Sequence, residues 1–353
     1  MPPTRVLVVD DSVVIRKLLS DLLGEVPSFE VVGTASNGKV ALSRIDQLKP
    51  DVVVLDVEMP VMDGLQALRE IKRRDPAPYV VMFSTFTTSG AKTTVEALTL
   101  GAEDYVAKPS NRMTPEQARA SISSQLVKKI QAVVRGHGRR LPDAAVQKPT
   151  PAVAPQGPPK KVDLVVIGAS TGGPNALALL FSRFPANFPV PIVVVQHMPA
   201  EFTPHLAERL ARESNLPVRE AQEGATLLPG EAWIAPGGRH TVIERGLPAA
   251  TLHLTDDPPV NSCRPSVDVL FQSVAPVYGK RALGVVMTGM GEDGLVGGRQ
   301  LKAAGSSLLA QDEASSVVWG MAGAVANARL AEAVLPPMDL GDEIVRRVRV
   351  GRI

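Results

Sequence analysis

A chain of 353 residues exceeds one small module and, at about 150 residues per domain, reads as two domains. With 44% hydrophobic, 21% charged and only 4% aromatic residues it is excluded from the disordered and fibrous classes, and its cores must be built chiefly from Val, Leu, Ala and Ile. The one cysteine, Cys263, rules out an intrachain disulfide and a cysteine-based zinc cluster and suits a reducing cytoplasm. No secretory h-region and no run of about 18 apolar residues is present, which predicts a soluble chain with no membrane insertion.

The formal charge of +2 is unevenly spread. From Arg112 to Lys161 ten Lys/Arg face only Glu116 and Asp143, so this stretch is strongly basic and the remainder net acidic. Pro142 to Pro159 holds six prolines and neither a helical nor a strand period, the pattern of a semi-extended linker. The expected organisation is a first domain over 1–125, a basic Pro-rich linker over 126–160 that includes His137, and a second domain over 161–350. No aromatics interleave with the basic residues, so the run reads as a solvated tether and not as a nucleic-acid tail.

In the first domain Val6–Val9, Glu30–Gly33, Asp51–Leu55, Tyr79–Phe83 and Tyr105–Ala107 are short apolar runs separated by amphipathic stretches. Continuous β-branched runs suit strands covered on both faces, and five βα units in a row predict an α/β fold with a doubly wound parallel sheet. Ligands sit at the carboxyl ends of such strands. There stand Asp10 and Asp11, then Asp56, then Ser84, then Lys108-Pro109. Converging carboxylates repel one another unless a hard divalent cation or a lysine neutralises them, which predicts a Mg²⁺ site at Asp10, Asp11 and Asp56. Asp56 becomes a carboxylate nucleophile for a phosphoryl group, with Lys108 and the metal stabilising the transferred oxygens. Ser84 is expected to bond that phosphoryl, and Tyr105 to change rotamer with it. Each aspartate taken singly reads equally well as a helix cap. These residues, with Met59-Pro60-Val61-Met62-Asp63-Gly64, resemble a response-regulator receiver domain over about the first 120 residues. The resemblance implies a histidine kinase as phosphodonor, a backbone carbonyl at or near Glu58 as a further metal ligand, and a cis peptide at Lys108-Pro109.

The second domain opens with the strand Val162–Ile167, the turn Gly168-Ala169-Ser170-Thr171-Gly172-Gly173-Pro174 and a helical period from Asn175 to Phe184. Two chemistries use such a turn: a glycine loop cradling phosphate, and a nucleophilic serine exposed at a sheet edge. The serine needs a base and an orienting acid. His197 follows the run Pro191–Gln196, and Asp293 follows Leu283–Met287, so parallel strands would gather Ser170, His197 and Asp293 on one edge as a relay. Thr171 and Met290, the latter between Gly289 and Gly291, are the expected oxyanion donors. His205 is expected on a helix surface, His253 on a strand face, His240 in a loop lining the site, Asp268 at a helix start, and Arg264 with Ser266 beside the cleft. Cys263 lacks a base of its own in this reading, so a thiol mechanism is the weaker option.

The order Ser, His, Asp departs from the α/β-hydrolase order of Ser, Asp, His. The segment from Val162 to Leu340 instead resembles the catalytic domain of the protein-glutamate methylesterases of bacterial chemotaxis. The likeness rests on the Ser170 turn, Val195-Gln196-His197-Met198-Pro199, Ile234-Ala235-Pro236-Gly237, Arg264-Pro265-Ser266-Val267-Asp268-Val269-Leu270-Phe271 and Met287-Thr288-Gly289-Met290-Gly291-Glu292-Asp293-Gly294. It implies γ-glutamyl methyl esters of cytoplasmic chemoreceptor helices as substrate, deamidation of receptor glutamines as a second activity, and no cofactor in this domain. The unphosphorylated receiver is expected to restrain the esterase until Asp56 is modified, and His197 to be neutral near pH 7 so that activity falls through about pH 6.5. Two rivals are a nucleotide-responsive adaptor, from the phosphate-cradle reading, and a DNA-binding output domain, for which only the basic linker speaks.

Overall fold

A computed structural model describes residues 2–85, 87–108, 114–137 and 160–352, and the chain separates into two compact units, Met1–Arg140 and Leu141–Ile353. The first runs β1 (Thr4–Val9), α1 (Val13–Gly24), β2 (Phe29–Ala35), α2 (Gly38–Leu48), β3 (Val52–Asp56), α3 (Gly64–Lys72), β4 (Tyr79–Ser84), α4 (Thr88–Thr99), β5 (Asp104–Ala107) and α5 (Pro115–His137). Its sheet has the order β2-β1-β3-β4-β5 with every pairing parallel. Val6, Val8, Val52, Val54, Val81 and Phe83 pack against Leu19 and Leu23 of α1 and Ile122, Leu126 and Ile130 of α5. Each such fully buried side chain contributes about 1.5–3 kcal/mol relative to exposure. Helix α5 carries this buried stripe to Val133 and runs on to His137. The segment expected as linker from residue 126 therefore begins as helix, because an apolar spacing of three to four residues continues beneath its basic face. The Pro-rich stretch 142–159 and the Lys108-Pro109 bond lie outside the described residues.

The second unit runs β6 (Leu164–Ala169), α6 (Gly173–Phe181), β7 (Ile192–Gln196), α7 (Thr203–Glu213), β8 (Val218–Glu220), β9 (Ala232–Ile234), β10 (His240–Glu244), β11 (Thr251–Thr255), α8 (Val267–Tyr278), β12 (Ala282–Val286), α9 (Leu295–Ala303), β13 (Ser307–Gln311), α10 (Met321–Asn327), β14 (Ala333–Leu335) and α11 (Pro337–Val348). Its main sheet, β14-β13-β12-β6-β7-β9-β8, is parallel throughout. Strands β6, β7, β12 and β13 are buried at every position, which is why their sequences are apolar without alternation except at the strand-end residues Gln196, Ser307 and Gln311. An antiparallel ribbon of β10 and β11 is added to this sheet's unit. Both units thus have the expected α/β, parallel-sheet architecture, with an antiparallel ribbon of which the sequence reading had only the strand around His253.

Candidate active site

In the first unit, the carboxyl edge of the sheet gathers Asp10 after β1, Asp56 at the end of β3 and Lys108 after β5. The Lys108 ammonium lies 2.8 Å from Asp10 Oδ2 and 2.8 Å from Asp56 Oδ2. Burial and the neighbouring Asp10 raise the Asp56 carboxyl to about 6 against the pull of Lys108. Burial would push the Lys108 ammonium down, but the two carboxylates outweigh it and leave it raised. One carboxylate oxygen each of Asp10, Asp11 and Asp56 lies within 4.8 Å of the others. Besides the Lys108 ammonium, no donor reaches the buried Oδ2 atoms of Asp10 and Asp56 among the described residues. Hard oxygen donors this close, with unfilled lone pairs, fit Mg²⁺. The structure takes Asp63 to the head of α3, where it forms a capping box with Gln66, and brings Gly64 so near that a Cβ there would lie 2.1 Å from the Asp56 carbonyl oxygen. Ser84 is buried and its hydroxyl donates to the Gly90 carbonyl at 3.2 Å. Tyr105 is buried beneath the Lys129 ammonium, 4.8 Å from its ring centre.

In the second unit, β6 and β7 pair Ala169 with Gln196, so the residues that follow, Ser170 and His197, stand side by side. The His197 N–H donates to the Ala169 carbonyl at 3.0 Å. Asp293 arrives from the loop after β12, the strand on the other flank of β6. This crevice at the carboxyl edge, where the connection after β6 runs toward β7 and the one after β12 runs the other way toward β13, is where open α/β sheets bind ligands. Asp293 Oδ2 lies 2.8 Å from His197 Nε2. The same carboxylate accepts the Ser266 hydroxyl (2.8 Å), the Asn261 amide (2.9 Å) and the backbone N–H groups of Val267 (2.7 Å) and Asp268 (3.1 Å). Burial would push the Asp293 carboxyl up, yet His197, the Val267 N–H and Asn261 hold it well below the usual carboxylate range. An ionised carboxylate only accepts, so Nε2 carries the proton and Nδ1 is the basic nitrogen.

At Nδ1 stands Cys263, its Sγ 3.4 Å away. Among the described residues no hydrogen bond joins the Ser170 hydroxyl to either ring nitrogen. Burial alone would push the imidazole down, but Asp293 and Cys263 outweigh it and raise His197 to about 9. This corrects the expectation of a ring neutral near pH 7, because two acidic partners stabilise the imidazolium. It also corrects the reading of Cys263 as a thiol without a base.

The Ser170 turn is anchored from below. The Ser170 N–H donates to the Thr288 carbonyl (3.0 Å), the Thr288 hydroxyl to the Thr171 carbonyl (2.9 Å), and the Gln196 amide to the Ser170 carbonyl (2.9 Å). A Cβ on Gly289 would lie 2.8 Å from Ser170 Cβ, so the loop after β12 approaches the serine as closely as only glycine permits. Among the described residues the N–H groups of Thr171 and Met290 donate to no protein acceptor.

His240, expected in a loop lining the site, is fully buried at the start of β10. It accepts from the Ser266 N–H and faces the Pro258 carbonyl, so it supports the loop from behind. His205 is on α7 as expected but mostly buried, beside Glu208. His253 is on β11, paired with the exposed Glu223. Asp268 heads α8 as expected and accepts the N–H groups of Gly294 and Gly297. Arg264 donates to the carbonyls of Asp256 and Asp257. Asn261 and Gln196 were missed. The only signal for Asn261 was its place in a proline-flanked Asn-Ser pair, a turn signature.

Residues 165–344 match the family model described as CheB methylesterase, and residues 6–118 that of the response regulator receiver domain. A protein-glutamate methylesterase/protein-glutamine glutaminase of Trichodesmium erythraeum is 47% identical over 354 residues, covering 99% of this chain and 100% of the relative. A protein of the same name from a Nocardioides species is also 47% identical, covering 99% of this chain and 96% of its own length. The crystal structure of the Thermotoga maritima CheB methylesterase catalytic domain superimposes with a TM-score of 0.52 at 38% identity, covering 53% of this chain and 98% of that one.

Proposed function

This chain belongs to the protein-glutamate methylesterase/protein-glutamine glutaminase family, and from that premise we propose how its residues divide the work. The protein is a phosphorylation-regulated ester hydrolase of chemotactic adaptation, converting γ-glutamyl methyl esters to glutamates with release of methanol and glutamines to glutamates with release of ammonia. Its domains are a receiver over 1–125, a linker over 126–160 and a catalytic domain over 161–350. Its substrates are chemoreceptors, its phosphodonor a histidine kinase, and its compartment the cytoplasm. Among the described residues no helix is long and apolar enough to cross a membrane.

Ser170 is the nucleophile, His197 the base and Asp293 the residue that fixes the imidazole. The observation that carries this is the 2.8 Å contact of Asp293 with Nε2, made where the pairing of β6 with β7 sets Ser170 beside His197. In the neutral ring Nδ1 takes the Ser170 proton as Oγ attacks the ester carbonyl. The proton then passes to the departing methoxide, and water repeats the cycle on the acyl-serine. The Thr171 and Met290 N–H groups stabilise the oxyanion, an effect worth about 3 kcal/mol per donor in other hydrolases. In the receiver, Asp56 accepts the phosphoryl group while Lys108 balances its charge and Ser84 and Tyr105 respond. Asp10, Asp11 and Asp56 would hold Mg²⁺, which when bound shields charge on phosphoryl oxygens.

The test is methanol release from a methylated chemoreceptor, with and without a small phosphodonor. Release that rises with the phosphodonor, and loses that rise in Asp56→Asn, is expected; no methanol under either condition overturns the reading.

A further inference from the structure

Asp293 is not the only buried acid at the site. Asp268 is buried behind it and takes no part in the proton transfers of the relay. The two carboxylates are cross-wired through the helices next to them. Asp293, two residues before α9, accepts the N–H groups of Val267 (2.7 Å) and Asp268 (3.1 Å) in the first turn of α8. Asp268 Oδ1 accepts those of Gly294 (2.9 Å) and Gly297 (2.7 Å) at the head of α9. Asp293 thus caps the helix of Asp268, and Asp268 caps the helix that Asp293 leads into, where orphan N–H groups and the helix dipole favour negative charge. Asn261 closes the pair, its amide donating to Asp268 Oδ2 and Asp293 Oδ1, each at 2.9 Å. Burial, with Asp293 adding to it, pushes the Asp268 carboxyl up against these three bonds. The helices have little room to slide: a Cβ on Gly297 would lie 2.6 Å from Phe271 Cβ and 2.9 Å from the Asp268 carbonyl oxygen.

We infer that Asp268 is a positioning residue for ester hydrolysis, fixing where Asp293 meets the His197 ring through Asn261 and through the head of α9. This rests on the assignment of Ser170, His197 and Asp293 as the relay. The task needs a carboxylate. One Asp268 oxygen takes two backbone N–H groups and the other an amide N–H, so both must accept. An amide of the same shape serves one side only. With its oxygen on Gly294 and Gly297, its NH₂ meets the Asn261 NH₂ donor to donor; turned over, it meets the two backbone N–H groups. Either the Asn261 bridge or the α9 cap is lost, and Asp293, 2.8 Å from Nε2, loses one of the supports that hold it there. Replacing an acid kept for packing alone would leave the titration of the ring untouched, whereas replacing one that holds Asp293 changes it.

Full-length wild type, Asp268→Asn, Asn261→Gly, the double variant and Asp293→Asn are compared for methanol release from a methylated chemoreceptor across pH, with Tm measured by calorimetry. Glycine at 261 suits the φ of 53° found there, so that variant removes the amide and keeps the turn. Asp268→Asn and Asn261→Gly are each expected to lower kcat about a hundredfold, as small displacements of reacting groups do, with KM little changed. The double variant falls no further than the deeper single, because both act through one amide. In Asp268→Asn the acid limb of kcat/KM moves to lower pH. The imidazole is held between Asp293 and Cys263, and a loosened Asp293 with one negative charge fewer behind it stabilises the imidazolium less. Wild-type kcat in both single variants, an acid limb unmoved in Asp268→Asn, a loss seen in Tm or KM alone, or losses that multiply overturns the inference. If Asp293→Asn turns over like the wild type, the relay assignment itself fails and the inference with it. Asn261 lies on an exposed turn, so a misfolded Asp268→Asn leaves the test to Asn261→Gly.

Discussion

A buried imidazole between a carboxylate and a sulfur titrates differently from one in water. In the proposed relay His197 must be neutral to accept the Ser170 proton, so with its value raised to about 9 we expect kcat/KM to fall as pH drops through about 9, not through the 6.5 of a free histidine. The groups facing the ring are Asp293 from the loop after β12 and Cys263 from the turn before α8, with Asp268 behind Asp293 across Asn261. Cys263→Ala removes one of the two raising partners, so its acid limb should move to lower pH. A wild-type midpoint near 6.5, or one unmoved by that substitution, would contradict this electrostatic picture. The gathering of Ser170, His197 and Asp293 at one sheet edge was legible in the sequence because each closely follows a buried apolar run. The use of the ring nitrogens was not, since it depends on a turn held at positive φ that brings Cys263 and Asn261 in from a loop without any periodic signal.

At the scale of elements, the site depends on the loop after β12 lying against the Ser170 turn. A Cβ at Gly289 would meet Met321 Sδ at 2.3 Å and Ser170 Cβ at 2.8 Å. Gly289→Ala should therefore cost about 1–3 kcal/mol of stability by overpacking, lower the catalytic unit's Tm by several degrees, and reduce kcat by displacing the serine. Wild-type Tm and kcat would show that the approach is looser than described. The long central strands announced themselves because burial on both faces demands unbroken runs such as Val193-Val194-Val195. Strands β8, β9 and β14 have three residues each, too few to show a period. The β10–β11 ribbon was recognised only at His253, where apolar and polar residues alternate, while His240 was hidden behind the glycines before it.

On the scale of the whole molecule, each unit carries its own core and its own polar constellation at the carboxyl edge of a parallel sheet. The receiver's response can be read separately from the esterase's. Mg²⁺ requires ionised carboxylates, and burial beside Asp10 raises Asp56 to about 6. Mg²⁺ affinity measured by calorimetry should fall as pH drops through about 6, where protons compete for Asp56, and an affinity constant down to pH 5 would argue against these ligands. The two-unit plan was legible from the basic, proline-rich interruption. The length of α5 was not, because its buried stripe continues under a run of lysines and arginines.

The central claim is that one alcohol does the chemistry. Methanol release from a methylated chemoreceptor, measured in reducing buffer for the full-length chain and for Ser170→Ala, tests it most directly. The account predicts turnover by the wild type and a fall of about a millionfold in the variant, the scale on which a serine relay fails when its nucleophile is removed. A Ser170→Ala protein that releases methanol within about tenfold of the wild-type rate would contradict it.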